Sequence, residues 1–151
     1  MTIDLIFLIV TLAIGFYAVG IVWANEIDIF RSWQYIHDVA DFRAVWHAHW
    51  IKLWVWGLIP VGLEFTFSIG LILFHPAGSP TWVIWGNFSC QLASLILTGL
   101  FWEQWQAKLY RDPQGSKSPY LGKILKTHWI RALLTTVYAF ILLTWVLIVV
   151  P

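Results

Sequence analysis

Four long apolar segments decide what this chain of 151 residues can fold into. They cover residues 3–23, 50–74, 81–105 and 124–150. Each is long enough to cross the ~30 Å of bilayer hydrocarbon as a helix, which takes about 20 residues. Lipid offers backbone groups no hydrogen-bond partner, and the segments lack the alternation of barrel strands. The sequence therefore predicts an all-α, four-transmembrane-helix bundle that forms one integral membrane domain.

The composition supports a membrane protein and excludes several other classes. Hydrophobic residues make up 60% of the chain and charged residues only 11%, whereas soluble domains have about 45–50% and about 25%. The net charge of +1 gives no basis for binding nucleic acid. A single cysteine, Cys90, excludes an internal disulfide and a cysteine-based zinc site.

The three connections between the apolar segments differ in kind. Residues 75–80 (HPAGSP) contain two prolines and a glycine, which predicts a tight turn between antiparallel helices. Residues 108–123 contain two prolines and two glycines and are predicted to form an exposed loop. Residues 25–45 are predicted to form an interfacial amphipathic helix between helices 1 and 2. Its apolar positions at helical spacing are Ile29, Trp33, Ile36 and Ala40.

The distribution of basic residues predicts the orientation in the membrane. All nine Lys and Arg residues lie between segments one and two or between three and four, counting the adjoining helix ends. The positive-inside rule then places loops 24–49 and 106–123 in the cytoplasm and both termini outside.

Polar residues inside the apolar segments form one stripe on each of three helices. Successive residues of an α-helix are rotated by about 100° around its axis, so residues at the appropriate spacing form one stripe and face the same way. The stripe on segment two is His49, Lys52, Trp56, Pro60 and Glu64. On segment three it is Asn87, Gln91, Ser94, Thr98, Trp102 and Trp105, with Gln106 at the margin. On segment four it is His128, Arg131, Thr135 and Tyr138.

Depth separates these residues into two groups. Glu64 and Gln91 each lie about 15 Å from the outer end of their segment, at 1.5 Å per residue. The sequence therefore predicts a Glu64–Gln91 hydrogen bond near the membrane midplane. The second group meets at the cytoplasmic end and consists of His49, Lys52, Trp102, Trp105, Gln106, His128 and Arg131.

The second group predicts a cationic, aromatic-lined pocket formed by helices 2, 3 and 4. His49 or His128 would act as a base, and Arg131 with Lys52 would stabilise an enolate or phenolate. Substrate would contact Lys52, Glu64, Gln91, Trp102, Trp105 and Gln106. The same pocket would serve a membrane lipid, a quinone or another hydrophobic small molecule without catalysis.

Structural explanations stand beside these functional ones. Glu64 would serve equally as a hydrogen-bonded acid that fixes helix register. Lys52 and Arg131 stand where basic side chains reach toward lipid headgroups. The carboxylates are too few and too unevenly placed for a di-iron site. No metal and no cofactor are predicted; the one alternative is a haem ligated by His49 and His128.

Two segments resemble a known family of membrane proteins. WHAHWIKLWVWGLIPVGLE (residues 46–64) and KTHWIRALLTTVYAFILLTW (residues 126–145) are similar to small four-helix membrane proteins, mostly uncharacterised, that include the anthrone oxygenases. The resemblance covers residues 42–145. The positions that match the family pattern are His49, Lys52, Pro60, Glu64, Trp129, Ile130 and Arg131.

Three positions depart from the family pattern. Trp46 replaces a histidine, His128 replaces an asparagine, and Gln106 replaces a histidine at the end of helix 3. The resemblance implies a four-helix fold and a cofactor-independent oxygenase acting on polycyclic phenols. The alternative that the residues leave open is a non-catalytic protein that binds lipid or quinone, forms a homo-oligomer or assembles with larger membrane complexes.

Overall fold

The computed structural model describes residues 2–150, and this part of the chain contains helices and turns but no strand. Four helices are long and apolar enough to cross a membrane. We call them α1 (Ile3–Tyr35), α2 (Val39–Leu73), α3 (Thr81–Arg111) and α4 (Pro119–Val149). The predicted all-α four-helix bundle is confirmed, and the chain is a multi-pass membrane protein.

The connection between α1 and α2 differs from the sequence prediction. Residues 25–45 do not form a separate amphipathic helix, because α1 continues to Tyr35 and α2 already begins at Val39. Asp38 caps α2 by accepting hydrogen bonds from the backbone N–H groups of Ala40 (2.7 Å) and Asp41 (3.0 Å). The end of α1 and the beginning of α2 therefore extend beyond the about 20 residues that cross the hydrocarbon. In these extensions the sequence is not continuously apolar, so hydropathy does not predict a helix there.

The connection between α3 and α4 is likewise shorter than the predicted loop and occupies residues 112–118. Asp112 organises it, since its carboxylate accepts from the Gln114 N–H (2.9 Å) and from the Ser118 hydroxyl (2.7 Å). These two hydrogen bonds hold the pKa of the Asp112 carboxyl below its ordinary value. Ser118 in turn caps α4 by accepting from the Tyr120 N–H.

The helices follow one another around the bundle in chain order. Helix α4 packs against α1 and α3, while the Ile59–Leu73 part of α2 packs against α1 and α3 on the opposite side. Helices α2 and α4 therefore face each other across the diagonal. The Ser68 hydroxyl crosses this diagonal to the Tyr138 hydroxyl at 3.3 Å, which fixes the two helices relative to each other.

Three helices contain one wide turn each. These turns are Asn25–Ile29 in α1, Trp54–Leu58 in α2 and Thr98–Trp102 in α3. Each closes with a π-type hydrogen bond from a backbone N–H to the carbonyl five residues earlier. The turn in α2 precedes Pro60, which has no N–H to donate and therefore interrupts the α-helical hydrogen bonding of this helix.

Buried side chains form two apolar clusters with a polar layer between them. We call the end of the bundle with residues 36–38 and 112–118 the basic end, since all nine Lys and Arg residues lie in the half of the chain's helices near it. The cluster at the basic end is Phe30, Trp33, Phe42, Trp46, Leu109, Leu121 and Ile124. The cluster toward the other end is Leu8, Leu71, Val83, Ile84, Tyr138, Leu142 and Trp145.

Candidate functional site

The polar layer begins with a buried acid on α1. Glu26 is only 3% exposed, and its Oε2 lies 3.2 Å from Nδ1 of His128 on α4. Its Oε1 accepts from Arg31 Nη2 at 3.0 Å, and its backbone carbonyl accepts from Arg31 Nε at 3.1 Å. Because a carboxylate only accepts, Nδ1 of His128 carries the hydrogen. The pair therefore fixes the tautomer and orientation of a buried imidazole.

Aromatic rings enclose this imidazole. Phe30 packs edge-on against His128 at 4.7 Å between ring centroids, and Trp102 does so at 5.8 Å. Trp102 is itself fixed because its indole N–H donates to the Thr127 hydroxyl at 3.0 Å. His128 is 2% exposed, so the Glu26–His128 pair is shielded from water by apolar surfaces.

Arg131 lies one turn further along α4 and has no protein partner among residues 2–150. No carboxylate oxygen lies within 4.0 Å of its guanidinium, and none of its N–H groups makes a hydrogen bond in this part of the chain. An arginine keeps its charge in any protein environment, and a charge inside a membrane bundle ordinarily has a counter-ion or a hydrogen-bonded partner. Its side chain is only partly buried, so these donors are accessible to an acceptor from outside the protein.

The side chain of Arg131 faces an internal cavity, which we call the inner cavity. Its volume is ≈ 30 Å³, enough for one or two water molecules. The remaining wall includes Ala18, Val22, Asn25, Phe30, Leu53, Gly57, Pro60, Gln106 and His128. All four helices contribute, and the wide turns of α1 and α2 form part of the wall.

Arg131 also borders a second, more open space between α2 and α3, which we call the α2–α3 groove. Its volume is ≈ 130 Å³. Besides Arg131 it is lined by Trp50, Leu53, Trp54, Leu58, Thr98, Glu103 and Gln106. Trp54 is 57% exposed on the surface of a membrane-spanning helix, so this groove opens toward lipid.

Gln106 lines both spaces together with Arg131 but makes no hydrogen bond to it. It is 6% exposed, and its Oε1 is buried without a hydrogen-bond donor among residues 2–150. The Oδ1 atom of Asn25, across the inner cavity, is also buried without a hydrogen-bond donor among these residues. Buried polar atoms of folded proteins nearly always have a partner, so these amides and Arg131 together form a polar surface prepared for a bound group or ordered water.

The predicted hydrogen bond near the midplane is present. Gln91 Nε2 donates to Glu64 Oε2 at 2.8 Å, and both side chains are buried. The second oxygen of Glu64, Oε1, has no partner among the described residues. Asn87, which is 0% exposed on the adjacent turn of α3, has neither its Oδ1 nor its Nδ2 paired there.

Six residues predicted for the pocket line neither the inner cavity nor the α2–α3 groove, namely His49, Lys52, Glu64, Gln91, Trp102 and Trp105. Lys52 is exposed and borders a separate groove between α1 and α2, together with Trp56. A π turn inserts one residue into the α-helical register and so rotates later residues by about 100°. The turn at Trp54–Leu58 therefore separates Lys52 and Trp56 from Glu64, which the sequence pattern had placed on one stripe.

Trp105 is displaced in the same way as Lys52. It lies outside both the inner cavity and the α2–α3 groove. Its ring contacts Phe101 (5.6 Å) and lies beneath the Lys123 ammonium group at 5.8 Å. The wide turn at Thr98–Trp102 intervenes in α3, so Trp105 anchors the helix near the basic end and Gln106 faces inward in its place.

His49 does not meet His128. Its ring packs edge-on against Trp33 (5.2 Å) and Phe30 (6.0 Å), and it borders the α1–α2 groove with Lys52. Phe30 contacts both imidazoles, and Nδ1 of His128 is already bonded to Glu26. This arrangement does not fit a haem held between the two histidines. Residues 2–150 also contain no group of three or more metal-binding side chains.

Helix α1 supplies residues that the sequence interpretation left out of the pocket. Glu26, Asn25 and Phe30 follow the apolar run of segment one and were assigned to a connection. The signal that would have found them is the polar pair Asn25–Glu26, which directly follows the 22 apolar-rich residues Ile3–Ala24. An acid placed there is buried only if it meets a partner on another helix.

The fold and the site define a multi-pass helical membrane protein with a polar, partly unsatisfied layer inside its bundle. No protein-family model, no curated protein and no solved structure matches the chain.

Proposed function

We propose that this protein binds a lipophilic small molecule, such as a quinone or lipid, through a hydrogen-bond-accepting or acidic headgroup. The observation that carries this proposal is Arg131, a permanent cation inside the bundle with no acceptor within bonding distance among residues 2–150. Its five N–H donors suit a carbonyl, phenolate or carboxylate oxygen. Gln106 adds an amide at the same position.

The α2–α3 groove accommodates the apolar body of such a ligand. Trp50, Trp54 and Leu58 line it, and Arg131 lies at its inner side. Ligand sites are commonly apolar clefts with a few polar groups that fix orientation. A molecule dissolved in the bilayer would reach Arg131 laterally, without crossing an aqueous phase.

We further propose that the basic end faces the cytoplasm, with both termini on the other side. The reason is the segregation of all nine Lys and Arg residues toward this end. The binding site then lies near the cytoplasmic leaflet. Labelling of single cysteines introduced at residues 2 and 114, in a variant lacking Cys90, tests this orientation in intact cells.

Binding is tested with dibrominated stearic acid, whose bromine atoms quench tryptophan fluorescence. The protein in zwitterionic nanodiscs should be quenched more by the acid than by its methyl ester, because the ester enters the same bilayer without an anionic headgroup. Arg131→Gln should abolish this excess, and Arg43→Gln, an exposed arginine outside the site, should retain it. If both variants were quenched more by the acid than by the ester to the same extent, the proposal would be contradicted.

The Glu26–His128 pair favours a second candidate function, a cofactor-independent oxygenase of the anthrone-oxygenase type. A carboxylate on Nδ1 orients the imidazole and leaves Nε2 as the atom able to accept a proton. A bound anthrone would lose a ring C–H proton to His128, and Arg131 would stabilise the resulting enolate oxygen. Molecular oxygen is the oxidant: O₂ adds to the deprotonated carbon and is protonated to a C–OOH hydroperoxide. Loss of the second C–H proton then breaks the O–O bond, so that one oxygen stays as the carbonyl and the other leaves as water, with overall stoichiometry CH₂ + O₂ → C=O + H₂O.

Oxygen uptake distinguishes the two candidates. If the protein is an oxygenase, anthrone added to it in nanodiscs should consume one O₂ per molecule above the rate in empty nanodiscs. His128→Ala should remove the enzymatic part, and His37→Ala, an exposed histidine, should not. If wild type and His128→Ala give the same rate, the oxygenase candidate is rejected and the binding proposal is unaffected.

A further inference from the structure

Two opposite charges line the α2–α3 groove without pairing. Arg131 of α4 and Glu103 of α3 both border it, and they are the only charged residues among the eight that line it. Neither the guanidinium nor the carboxylate makes an ion pair or a hydrogen bond with another side chain among residues 2–150. The groove therefore presents one unpaired cation and one unpaired anion to its occupant.

The two charges lie at different depths. The indole of Trp102 donates to the Thr127 hydroxyl and packs against His128, which aligns α3 with α4. From this level Arg131 lies about one helical turn away from the basic end, and Glu103 lies one residue toward it. At 1.5 Å per residue, Glu103 is therefore about 6–8 Å nearer the basic end than Arg131.

These depths coincide with the edge of the hydrocarbon. Arg131 lies about 27 Å of helix rise from the end of α4 at Val149, and Glu103 lies about 33 Å from the start of α3 at Thr81. The hydrocarbon is ~30 Å thick, and the headgroups lie just outside it. A lipid in the groove would thus place its chains beside the exposed ring of Trp54 and its headgroup beside the two charges.

Charge complementarity selects the kind of headgroup. A quinone or a fatty acid gives Arg131 an acceptor but leaves the Glu103 carboxylate unpaired in the same groove. A headgroup with its anion nearer the hydrocarbon and its cation farther out satisfies both side chains. A zwitterionic glycerophospholipid has this order, since its phosphate precedes its ammonium group by two carbon atoms.

The lining of the groove distinguishes a primary from a quaternary ammonium group. A quaternary ammonium group is recognised by a cage of aromatic rings. Only two indoles line the groove, those of Trp50 and Trp54, and Trp50 stacks on Trp46 at 5.5 Å. A primary ammonium group has three N–H donors, for which the groove offers the carboxylate of Glu103 and the amide of Gln106. The lining therefore suits a primary ammonium group.

A wider space continues the groove toward the basic end. It has a volume of ≈ 360 Å³ and shares Trp50, Glu103 and Gln106 with the groove. Arg111 also lines it, about 12 Å of helix rise beyond Glu103, and the two do not pair. The Glu103 carboxylate is thus open to a ligand cation from both the groove and this space.

We propose that the α2–α3 groove binds phosphatidylethanolamine or another lipid with a phosphate and a primary ammonium group. The phosphate accepts hydrogen bonds from Arg131, and the ammonium group donates to Glu103. The inference rests on the proposed binding function and names its ligand class. Binding changes no covalent bond, and the opposite charges of the headgroup and the groove neutralise each other.

Headgroup selectivity tests the inference. Phosphatidylethanolamine and phosphatidylcholine with the same dibrominated chains are compared as quenchers of tryptophan fluorescence in phosphatidylcholine nanodiscs. Both lipids are zwitterionic, so only the ammonium group differs. Wild type should bind the ethanolamine lipid more tightly. Glu103→Gln should lower the ratio of the two affinities about two- to fivefold, as for a partly exposed ion pair. Asp41→Asn, an exposed carboxylate outside the groove, should retain the wild-type ratio.

Soluble phosphoethanolamine distinguishes a lipid ligand from a free headgroup. At the concentration of the brominated lipid it should leave the ratio unchanged, and loss of the preference would overturn the assignment of a lipid. Equal affinities of wild type for the two lipids, or an unchanged ratio in Glu103→Gln, would also overturn the inference. The Arg131-dependent excess of stearic acid over its ester would still stand in these cases. If that excess is absent as well, the binding proposal itself fails.

Discussion

Glu26 and His128 are 102 positions apart in sequence, and their side chains meet at 3.2 Å inside the bundle. The contact joins the first helix to the last and closes the polar layer at the basic end. Glu26 also binds Arg31, whose side chain is 56% exposed. One buried carboxylate thus links an internal imidazole to a cation at the protein surface.

Replacing Glu26 should destabilise the bundle because its two carboxylate oxygens accept from Arg31 and from His128. Glu26→Gln keeps only one acceptor oxygen for these two donors and should cost about 1.5–3 kcal/mol of unfolding free energy, the range for a lost hydrogen bond to a charged group. Unfolding followed by circular dichroism in detergent measures it. Asp28→Asn, an exposed carboxylate two residues away, should change little. Equal losses of unfolding free energy in both variants would show that stability depends on the total negative charge and not on the buried Glu26–His128 pair.

The fold could be predicted from hydropathy to the extent that lipid contact determines it. All four spans were located, since about 20 apolar residues are needed to cross the hydrocarbon. The helix ends could not be predicted because α1 and α2 are 33 and 35 residues long. The last turns of α1 and the first turns of α2 lie beyond the about 20 residues that cross the hydrocarbon, where polar residues are tolerated. Residues 25–35 therefore looked like a connection.

The site could be predicted only in part, because residue spacing indicates direction only where every residue turns the helix by the same angle. This condition holds for Glu64 and Gln91, which lie within regular helix. It fails for Lys52 and Trp105, since each is separated from the deeper polar residues of its helix by a π turn. Pro60 signalled a disturbance in α2, but no residue pattern marked the wide turn of α3. The order of helices around the bundle also has no signature in the sequence.

The Glu64–Gln91 pair should show strong coupling between two substitutions. Gln91→Leu leaves the buried carboxyl group without its only hydrogen-bond donor and should cost about 1–3 kcal/mol or more. Glu64→Leu in the same protein removes the group that needs the donor, so the double variant should be more stable than Gln91→Leu alone. A double-mutant cycle measures the difference. Additive losses would mean that the two side chains do not depend on each other.

The turn between α3 and α4 should weaken in acid because of Asp112. Its two hydrogen bonds, from the Gln114 N–H and the Ser118 hydroxyl, lower its pKa from the ordinary 3.8. A lowered pKa in the folded state adds stability above 3.8, and that contribution is lost as the pH falls through the folded-state pKa. Wild type should thus lose more thermal stability below pH 4 than Asp112→Asn. Parallel pH profiles of the melting temperature would contradict this.

Leu53 and Gly57 control the space beside Arg131. Leu53 lines the inner cavity and the α2–α3 groove, and a Cβ atom at position 57 would lie 2.6 Å from its Cδ1. Gly57→Ala should displace Leu53 and change the affinity for dibrominated stearic acid. Gly62→Ala is the matched control, since its Cβ would meet nothing within 4 Å.

Both substitutions replace a helical glycine by alanine, so each gains intrinsic helix stability of about 1 kcal/mol. Only Gly57→Ala also disturbs the wall of the site. We therefore expect binding to change several-fold in Gly57→Ala and to stay at the wild-type value in Gly62→Ala, with both proteins folded by circular dichroism. If Gly57→Ala binds the acid as wild type does, Leu53 does not border the occupied part of the site, and the ligand would lie wholly on the α3 side of the groove.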